Sequence, residues 1–374
     1  MQPWQGRLTN MTRGYKTQCN AIAAGDLTAL ETAIERHPDG LGHWKPIVDA
    51  AHAGRADMVR ALIAAGADPN VISGTGARHT PLTRLTEHQA TIPRHDGHRK
   101  ALVALLEGGA DPNLRAGPHH FEPLAYAAMA PAQDFIDLLR SGGARISVHL
   151  AASLLDNGRL VRALRNPDRA REVDPRGRTP LHYVALSGLW KLHDSDRALL
   201  CASLLLDAGA DLDAAEEIVD GDEVFRATPL WHALAWQKHL AVAAFLLERG
   251  ADPNPAVFAV TYQGDERACA LLDRYGADWE QVFNGRTPLM DLMYFRRPGA
   301  SRWLIARGVD VNTADRTGKT ALHFAALRGV RADYVESLVD AGADVGAQDA
   351  NGRTPLDCAV QKKRTRLLEI LKPR

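Results

Sequence analysis

The chain has 374 residues, of which 45% are hydrophobic and 24% are charged, a composition typical of folded globular proteins. Its 45 basic and 45 acidic side chains give a formal net charge of +0, which disfavours a dedicated nucleic-acid-binding protein because phosphate backbones attract excess positive charge. The longest apolar runs fall well short of the roughly 20 residues that a bilayer requires, and the initial MQPWQGRLTN lacks the apolar core of a secretory signal.

Cysteine usage indicates a reducing compartment. Cys19, Cys201, Cys269 and Cys358 are far apart, and no two of them have the spacing of metal ligands or of a redox pair. We expect reduced, mostly buried thiols and a cytoplasmic location, with no membrane or nucleic-acid partner. Arginine is much more frequent than lysine, and alanine is abundant. This composition favours a GC-rich, bacterial coding genome.

Two short motifs recur along the chain, and internal repeats of this kind decide an architecture. One is Thr-Pro-Leu, and the other is a Gly-Ala-Asp turn that is usually followed by Pro or Val and then Asn. In chain order, Thr-Pro-Leu begins at Thr80, Thr179, Thr228, Thr287 and Thr354, with variants at Glu122 and Thr320. The Gly-Ala-Asp turn and its variants begin at Gly66, Gly109, Gly143, Gly209, Gly250, Gly276, Gly308 and Gly342. This alternation predicts a stack of similar units.

The sequence of each unit predicts a pair of short helices. Thr caps a helix N-terminus well, and Pro at the first helical position loses no hydrogen bond that the helix needs. In the unit that begins at Thr320, the pattern predicts a first helix over 320–328, ended by Gly329, and a second helix over 334–341. Gly342 suits the left-handed position that closes a helix. Because one such pair cannot bury its apolar face alone, neighbouring pairs must stack.

The copies DRTGKTALHFAA from Asp315 and DPRGRTPLHYVA from Asp174 resemble the ankyrin repeat. The resemblance implies an all-α repeat solenoid, in which helix-turn-helix units with projecting β-turn fingers form a curved right-handed stack. We expect a single solenoid over 16–374, after an N-terminal extension of residues 1–15, with the charged last unit 353–374 as a C-terminal cap. About eleven units are expected to begin near Lys16, Lys45, Thr80, Glu122, His149, Thr179, Thr228, Pro255, Thr287, Thr320 and Thr354.

The histidines divide into two groups. His182 and His323 hold the fourth position of the repeat motif, where the resemblance implies a structural hydrogen-bonding residue. A second group in the loops between His79 and His120 could hold a metal or small ligand, although no helical ligand pair such as HExxH is present. No pattern pairs a nucleophile with a base, so we expect no catalytic residue, no cofactor and no enzyme activity.

An acidic stretch lengthens the finger before Thr228. Residues 211–223 hold seven acidic and no basic side chains. Its members Glu216, Glu217, Asp220, Asp222 and Glu223 could guide a basic partner by their electrostatic field, or could simply form a solvated loop.

The resemblance implies that the first helix of each unit lines a concave face, with motif positions five, eight and nine pointing outward. Aromatic residues are enriched at these positions, and exposed aromatic residues are frequent anchors of protein interfaces. The expected partner-binding residues are Tyr126, Tyr183, Trp236, Tyr262, Tyr294, Phe295 and Phe324, with Arg328 beside them. Position five could instead be packed between helices.

The function that these residues favour is a non-catalytic scaffold that binds another protein and is monomeric alone. One alternative is a bacterial toxin-neutralising or effector-type ankyrin protein. The other is a metal- or small-ligand-binding protein that uses the loops from His79 to His120.

Overall fold

The computed structural model describes residues 3–74, 76–87, 96–220 and 223–372, with side chains from residue 13 onward except that of residue 220. The chain divides into two compact units, each treated separately below. Unit one comprises Met1–Arg165 and Ser187–Arg197, and unit two comprises Asn166–Leu186 and Ala198–Arg374. The predicted extent of one solenoid over 16–374 stays a prediction.

Unit one consists of successive helix pairs. Its helices are α1 (Pro3–Ala24), α2 (Leu27–Arg36), α3 (Lys45–His52), α4 (Ala56–Ala64), α5 (Pro81–Thr86), α6 (Asp96–Glu107), α7 (Pro123–Met129), α8 (Gln133–Ser141), α9 (Val148–Ser153) and α10 (Asn157–Ala163). Short 3₁₀ turns lie at Pro38–Gly42 and Leu189–Lys191. The α1 helix joins most of the predicted extension 1–15 to the first predicted unit in one continuous element.

Unit two repeats the same arrangement. Its helices are α11 (Pro180–Leu186), α12 (Asp196–Asp207, which begins at the end of unit one), α13 (Pro229–His232), α14 (Leu240–Glu248), α15 (Val257–Gln263), α16 (Glu266–Arg274), α17 (Pro288–Tyr294), α18 (Ser301–Ala306), α19 (Ala321–Arg328), α20 (Ala332–Asp340) and α21 (Pro355–Gln361). A π-helical segment, Ala233–Gln237, continues α13. The 3₁₀ turns are Pro167–Arg171, Asn254–Ala256, Pro298–Ala300 and Thr365–Leu367.

Threonine caps and motif histidines hold the first helices in place, as predicted. The Thr228 hydroxyl accepts a hydrogen bond from the amide of Trp231 at the start of α13. His182 contacts its own cap residue through Nδ1 and lies 3.2 Å, through Nε2, from the carbonyl oxygen of Ala227 in the next unit. His323 makes the same bridge, with Nε2 3.0 Å from the carbonyl oxygen of Arg353. The structural role of these histidines is therefore confirmed.

The core of each unit lies between stacked helices. First helices pack on first helices, as α17 does on α19 and α19 on α21, and second helices pack on second helices, as α4 does on α6. Leu322 and Ala326 on α19 are fully buried, because the small alanines let neighbouring helices approach while leucine fills the space between them. No helix in the described part of the chain combines the length and hydropathy of a membrane-spanning segment.

Unit two also contains a β-hairpin, which lies between α12 and α13. Strands β1 (Glu216–Asp220) and β2 (Glu223–Ala227) pair antiparallel, with Glu217 opposite Arg226 and Ile218 opposite Phe225. Phe225 packs at 5.7 Å, centroid to centroid, on Phe283 in the turn before α17. The hairpin therefore reaches past α15, which follows the 3₁₀ turn Asn254–Ala256 without a projecting finger of its own.

At Gly188, two backbone segments of unit one lie close together. A methyl group at its Cβ position would lie 2.1 Å from the carbonyl oxygen of Met129, and its amide donates to the carbonyl of Ala128. We predict that Gly188→Ala lowers the free energy of unfolding by about 1–3 kcal/mol, the usual cost of overpacking. Gly158→Ala on α10 is the matched control, because its Cβ would meet no atom closer than 3.7 Å.

In urea titrations, Gly158→Ala should be neutral or stabilising by up to about 1 kcal/mol, since alanine favours helix more than glycine does. Equal midpoints for the two variants would contradict the close approach at Gly188.

Candidate binding surface

Three large aromatic side chains are exposed on consecutive repeats within unit two. The exposed fractions are 43% for Trp236, 40% for Tyr262 and 45% for Phe295, and Tyr294 is half-buried beside them. Trp236 lies in the π-helical segment, Tyr262 near the end of α15, and Tyr294 and Phe295 at the end of α17. We call these four residues the aromatic surface.

Edge-to-face contacts fix most of these rings. Phe295 packs against Tyr262 at 5.5 Å and against Tyr294 at 4.9 Å, centroid to centroid, with the rings nearly perpendicular in both pairs. Tyr294 in turn packs at 5.8 Å against the buried ring of Phe324 below it. Perpendicular packing is the geometry that aromatic quadrupoles favour. The rings are therefore held in place before any partner arrives, which lowers the entropy lost on binding.

Arginine side chains cover these rings. The guanidinium of Arg297 lies 4.6 Å from the centroid of Tyr262, and that of Arg328 lies 4.1 Å from the centroid of Tyr294. Arg286 lies 4.3 Å from Tyr294 and also pairs with Asp291 at 2.5 Å. Cations over ring faces are attracted by the ring quadrupole. We call Arg286, Arg297 and Arg328 the arginine set.

Three of the predicted partner-binding aromatics are not available to a partner. Tyr126, Tyr183 and Phe324 are 3%, 1% and 7% exposed, so the prediction that position five points outward is wrong for them. The two tyrosine side chains turn back toward the fingers of their own repeats. The Tyr126 hydroxyl donates to the carbonyl of Ala116, and that of Tyr183 donates to the Asp174 carboxylate.

The acidic stretch also differs from its prediction, because it folds as the hairpin. Glu216 is buried, and its carboxylate lies 2.6 Å from Nε of Arg176 and 3.4 Å from Nε2 of His232. Burial raises the pKa of Glu216, but His232, Arg178 and Arg176 together hold that pKa below its ordinary value. The prediction of a solvated acidic guide is therefore wrong for Glu216.

Other members of the stretch are only partly described. Glu223 accepts a hydrogen bond from the amide of Asn284, and Glu217 is exposed opposite Arg226. The backbone of Asp220 lies in β1, whereas its side chain and all of Asp222 lie outside the described residues. Guidance of a basic partner by these residues stays a prediction.

A buried ion pair anchors the finger that precedes α11. Arg178 donates to the Asp174 carboxylate from Nε at 2.8 Å, with Nη2 2.7 Å away, and both side chains are almost fully buried. Burial raises the pKa of Asp174, but Arg178 and the Tyr183 hydroxyl hold it below its ordinary value. This pair supports the finger structurally and is enclosed, so it offers nothing to a partner.

The histidines considered as metal ligands are engaged in local contacts. His79 lies 3.0 Å from Glu87, and His98 lies 3.2 Å from the carbonyl oxygen of His52. His119 packs against Phe121 and Tyr126. His88 and His95 lie outside the described residues. Among the residues that the structure describes, no group of three or more His, Cys, Asp or Glu side chains could hold a metal ion.

Sequence reasoning missed two members of the arginine set, Arg286 and Arg297. A signal for Arg286 was present, because arginine directly precedes the capping threonine in three units, at Arg178, Arg286 and Arg353. The buried pair at Arg178 and the pair between the partly exposed Arg353 and the enclosed Asp349 show that this position reaches into its own unit. No comparable pattern marks Arg297, which is placed over Tyr262 by the loop after α17.

Family models and a solved structure are similar to this chain. A family model described as ankyrin repeats matches residues 148–257, 256–349 and 292–373, and a model of the single ankyrin repeat matches residues 44–73. The human ASB11 ankyrin repeat domain has a similar structure, with a TM-score of 0.49 and 22% sequence identity, covering 62% of this chain and 99% of that domain.

Several curated proteins are similar over part of the chain. Mouse inversin is 29% identical over 63% of this chain, zebrafish putative palmitoyltransferase ZDHHC13 is 30% identical over 54%, and the Drosophila melanogaster neurogenic locus Notch protein is 49% identical over 18%. The matches span only 22%, 30% and 2% of those proteins, respectively. Because the family models match more than half of the sequence, the chain belongs to the ankyrin repeat family.

Proposed function

We propose that this chain is a non-catalytic protein-binding module and that its partner docks on the aromatic surface formed by Trp236, Tyr262, Tyr294 and Phe295. Ankyrin repeats generally bind other proteins. The observation that carries the proposal is the set of three exposed large rings on consecutive repeats. Two of them, Tyr262 and Phe295, are in direct contact. Water-exposed apolar patches of this kind mark interaction sites.

Energetics support the same assignment. Burying a ring that already sits in a fixed orientation gains hydrophobic free energy at little entropic cost. Tyrosine and tryptophan are enriched among residues whose truncation costs about 2 kcal/mol or more of binding free energy. The proposal includes a monomeric chain and a cytoplasmic location. Four cysteines without a disulfide are usual in a reducing compartment.

Replacing the whole aromatic surface tests the proposal. In the variant with Trp236, Tyr262, Tyr294 and Phe295 all changed to Ala, we expect affinity for a peptide selected on the full chain to fall at least about 100-fold, since two or more anchors are lost. Isothermal titration calorimetry measures the affinity. Thermal unfolding checks that the variant is folded.

A matched control removes exposed apolar residues elsewhere. Val161, Leu200 and Val360 are 51%, 49% and 59% exposed, and their combined change to Ala should leave the affinity within about twofold. Equal affinities for the folded aromatic variant and the wild-type chain would overturn the proposed surface.

A further inference from the structure

Two members of the arginine set have N–H donors that the described chain does not pair with a carboxylate. Arg297 and Arg328 are exposed, and within the described residues neither forms an ion pair with a carboxylate. Each guanidinium lies with a ring near it, at 4.6 Å for Arg297 and 4.1 Å for Arg328. A guanidinium that packs on a ring keeps its N–H donors at the edge of its plane, where they can form a fork to a carboxylate.

The basic character continues beyond the rings. Arg296, next to Phe295 in the chain, lines a cleft of about 750 Å³ at the loops that join the helices of the last units. The other basic residues of its lining are Arg331, Lys363, Arg364 and Arg366. Of the two acidic residues in the lining, Asp333 is already paired with Arg302 and Arg331. The cleft lining therefore holds five basic and two acidic residues, and Arg296 in it is the chain neighbour of Arg297, although the whole chain is neutral.

We infer that the aromatic surface and the arginine set together bind an extended acidic segment of the partner protein. The inference rests on the proposed function and adds the partner's chemistry. An apolar or aromatic side chain of the segment would pack on Tyr262 and Phe295, while carboxylates would accept hydrogen bonds from Arg297 and Arg328. Further acidic residues of the segment would lie along the basic cleft. Charge complementarity of this kind selects partners and accelerates their encounter.

A partner protein is favoured over a nucleic acid by the carboxylates within the surface. Asp291 pairs with Arg286, and Asp333 and Glu336 lie in the cleft. A strand with a phosphate at every nucleotide would meet these carboxylates, whereas a peptide can space its acidic residues to avoid them.

Peptide selection tests the inference directly. A phage-displayed random peptide library is panned on the full-length chain, and the recovered peptides are synthesised and titrated by fluorescence anisotropy. We expect the recovered sequences to be enriched in Asp and Glu around one aromatic or aliphatic residue. Recovery of basic or uncharged sequences would overturn the inference.

Charge reversal then assigns the contacts. In the variant with Arg297→Glu and Arg328→Glu, we expect the affinity for the selected peptide to fall at least about 100-fold, about tenfold for each charged hydrogen bond lost. The control variant carries Arg267→Glu and Arg274→Glu on α16, which change the net charge equally at two exposed arginines. Its affinity should change less than about threefold at physiological salt, because separated surface charges are screened.

The outcomes separate the two proposals. If the selected peptides depend on the four rings but not on Arg297 and Arg328, the aromatic surface stands and the acidic segment is wrong. Peptides that are indifferent to the rings, or a selection without specific binders, would contradict both. If single-stranded oligo(dT) displaces the bound peptide and itself loses affinity in the charge-reversal variant, the surface binds nucleic acid and the inference is overturned.

Discussion

Arg178→Leu is expected to destabilise the protein more than any other single change to a polar residue described here. The guanidinium of Arg178 is 1% exposed and neutralises a carboxylate, Asp174, that is fully buried. Removing one member of a buried ion pair leaves an uncompensated charge and costs about 3–5 kcal/mol. Urea titration followed by far-ultraviolet circular dichroism measures the loss.

The same finger position in a later unit provides the control for Arg178. Arg353 pairs with Asp349 at 2.7 Å with the same spacing in the chain, and the Asp349 carboxylate is enclosed like that of Asp174, but the Arg353 side chain is 33% exposed. Because water reaches this site and can hydrate the carboxylate left behind, Arg353→Leu should cost less than Arg178→Leu, about 1–2 kcal/mol. A cost for Arg178→Leu no larger than that for Arg353→Leu would contradict the enclosed pair.

The pH dependence of this contribution has a fixed sign. The pKa of Asp174 is lower in the folded chain than its ordinary value. The stabilisation is therefore fully present above the ordinary aspartate pKa of about 4 and is lost as the pH falls through the folded value.

Phe121→Ala is expected to produce the largest loss among the aromatic residues, whereas Phe295→Ala should leave stability nearly unchanged. Phe121 is 1% exposed and packs perpendicular to Tyr126 at 5.5 Å. Truncating such a ring leaves a cavity and costs about 3–5 kcal/mol. Phe295 is 45% exposed, so its truncation should cost less than about 1 kcal/mol.

Differential scanning calorimetry of the two variants measures this contrast. Phe121→Ala should lower the melting temperature by several degrees, and Phe295→Ala should melt close to the wild-type chain. A clearly lower melting temperature for Phe295→Ala would mean that this ring belongs to the core, and it would no longer be an anchor for a partner.

Local chemistry made most of the fold predictable. Threonine caps, helix-starting prolines and closing glycines act within a few residues, so the helices after Thr228 and Thr354 lie where the sequence places them. The bridge from His182 to the carbonyl of Ala227 was also predictable, because it recurs with the motif. These features depend on hydrogen bonds inside one unit or between neighbours.

The candidate surface was predictable only in part, because side-chain direction depends on longer-range packing. The same motif position holds the buried Tyr183 and, in another unit, Asp291 paired with Arg286, since each turns toward its own finger. The hairpin escaped prediction because an inward-facing Glu216 is acceptable only beside Arg176 and His232, which are distant in the sequence. At motif position nine, Trp236 and Phe295 remain exposed.

Amide hydrogen exchange of the chain with and without a selected peptide shows whether the partner docks on the aromatic surface. Bound peptide should slow exchange in Val257–Gln263, Pro288–Tyr294 and the loop through Arg297, while exchange in α4, α6 and α8 stays unchanged. Protection confined to those second helices, with no change at α15 and α17, would contradict docking on the aromatic surface.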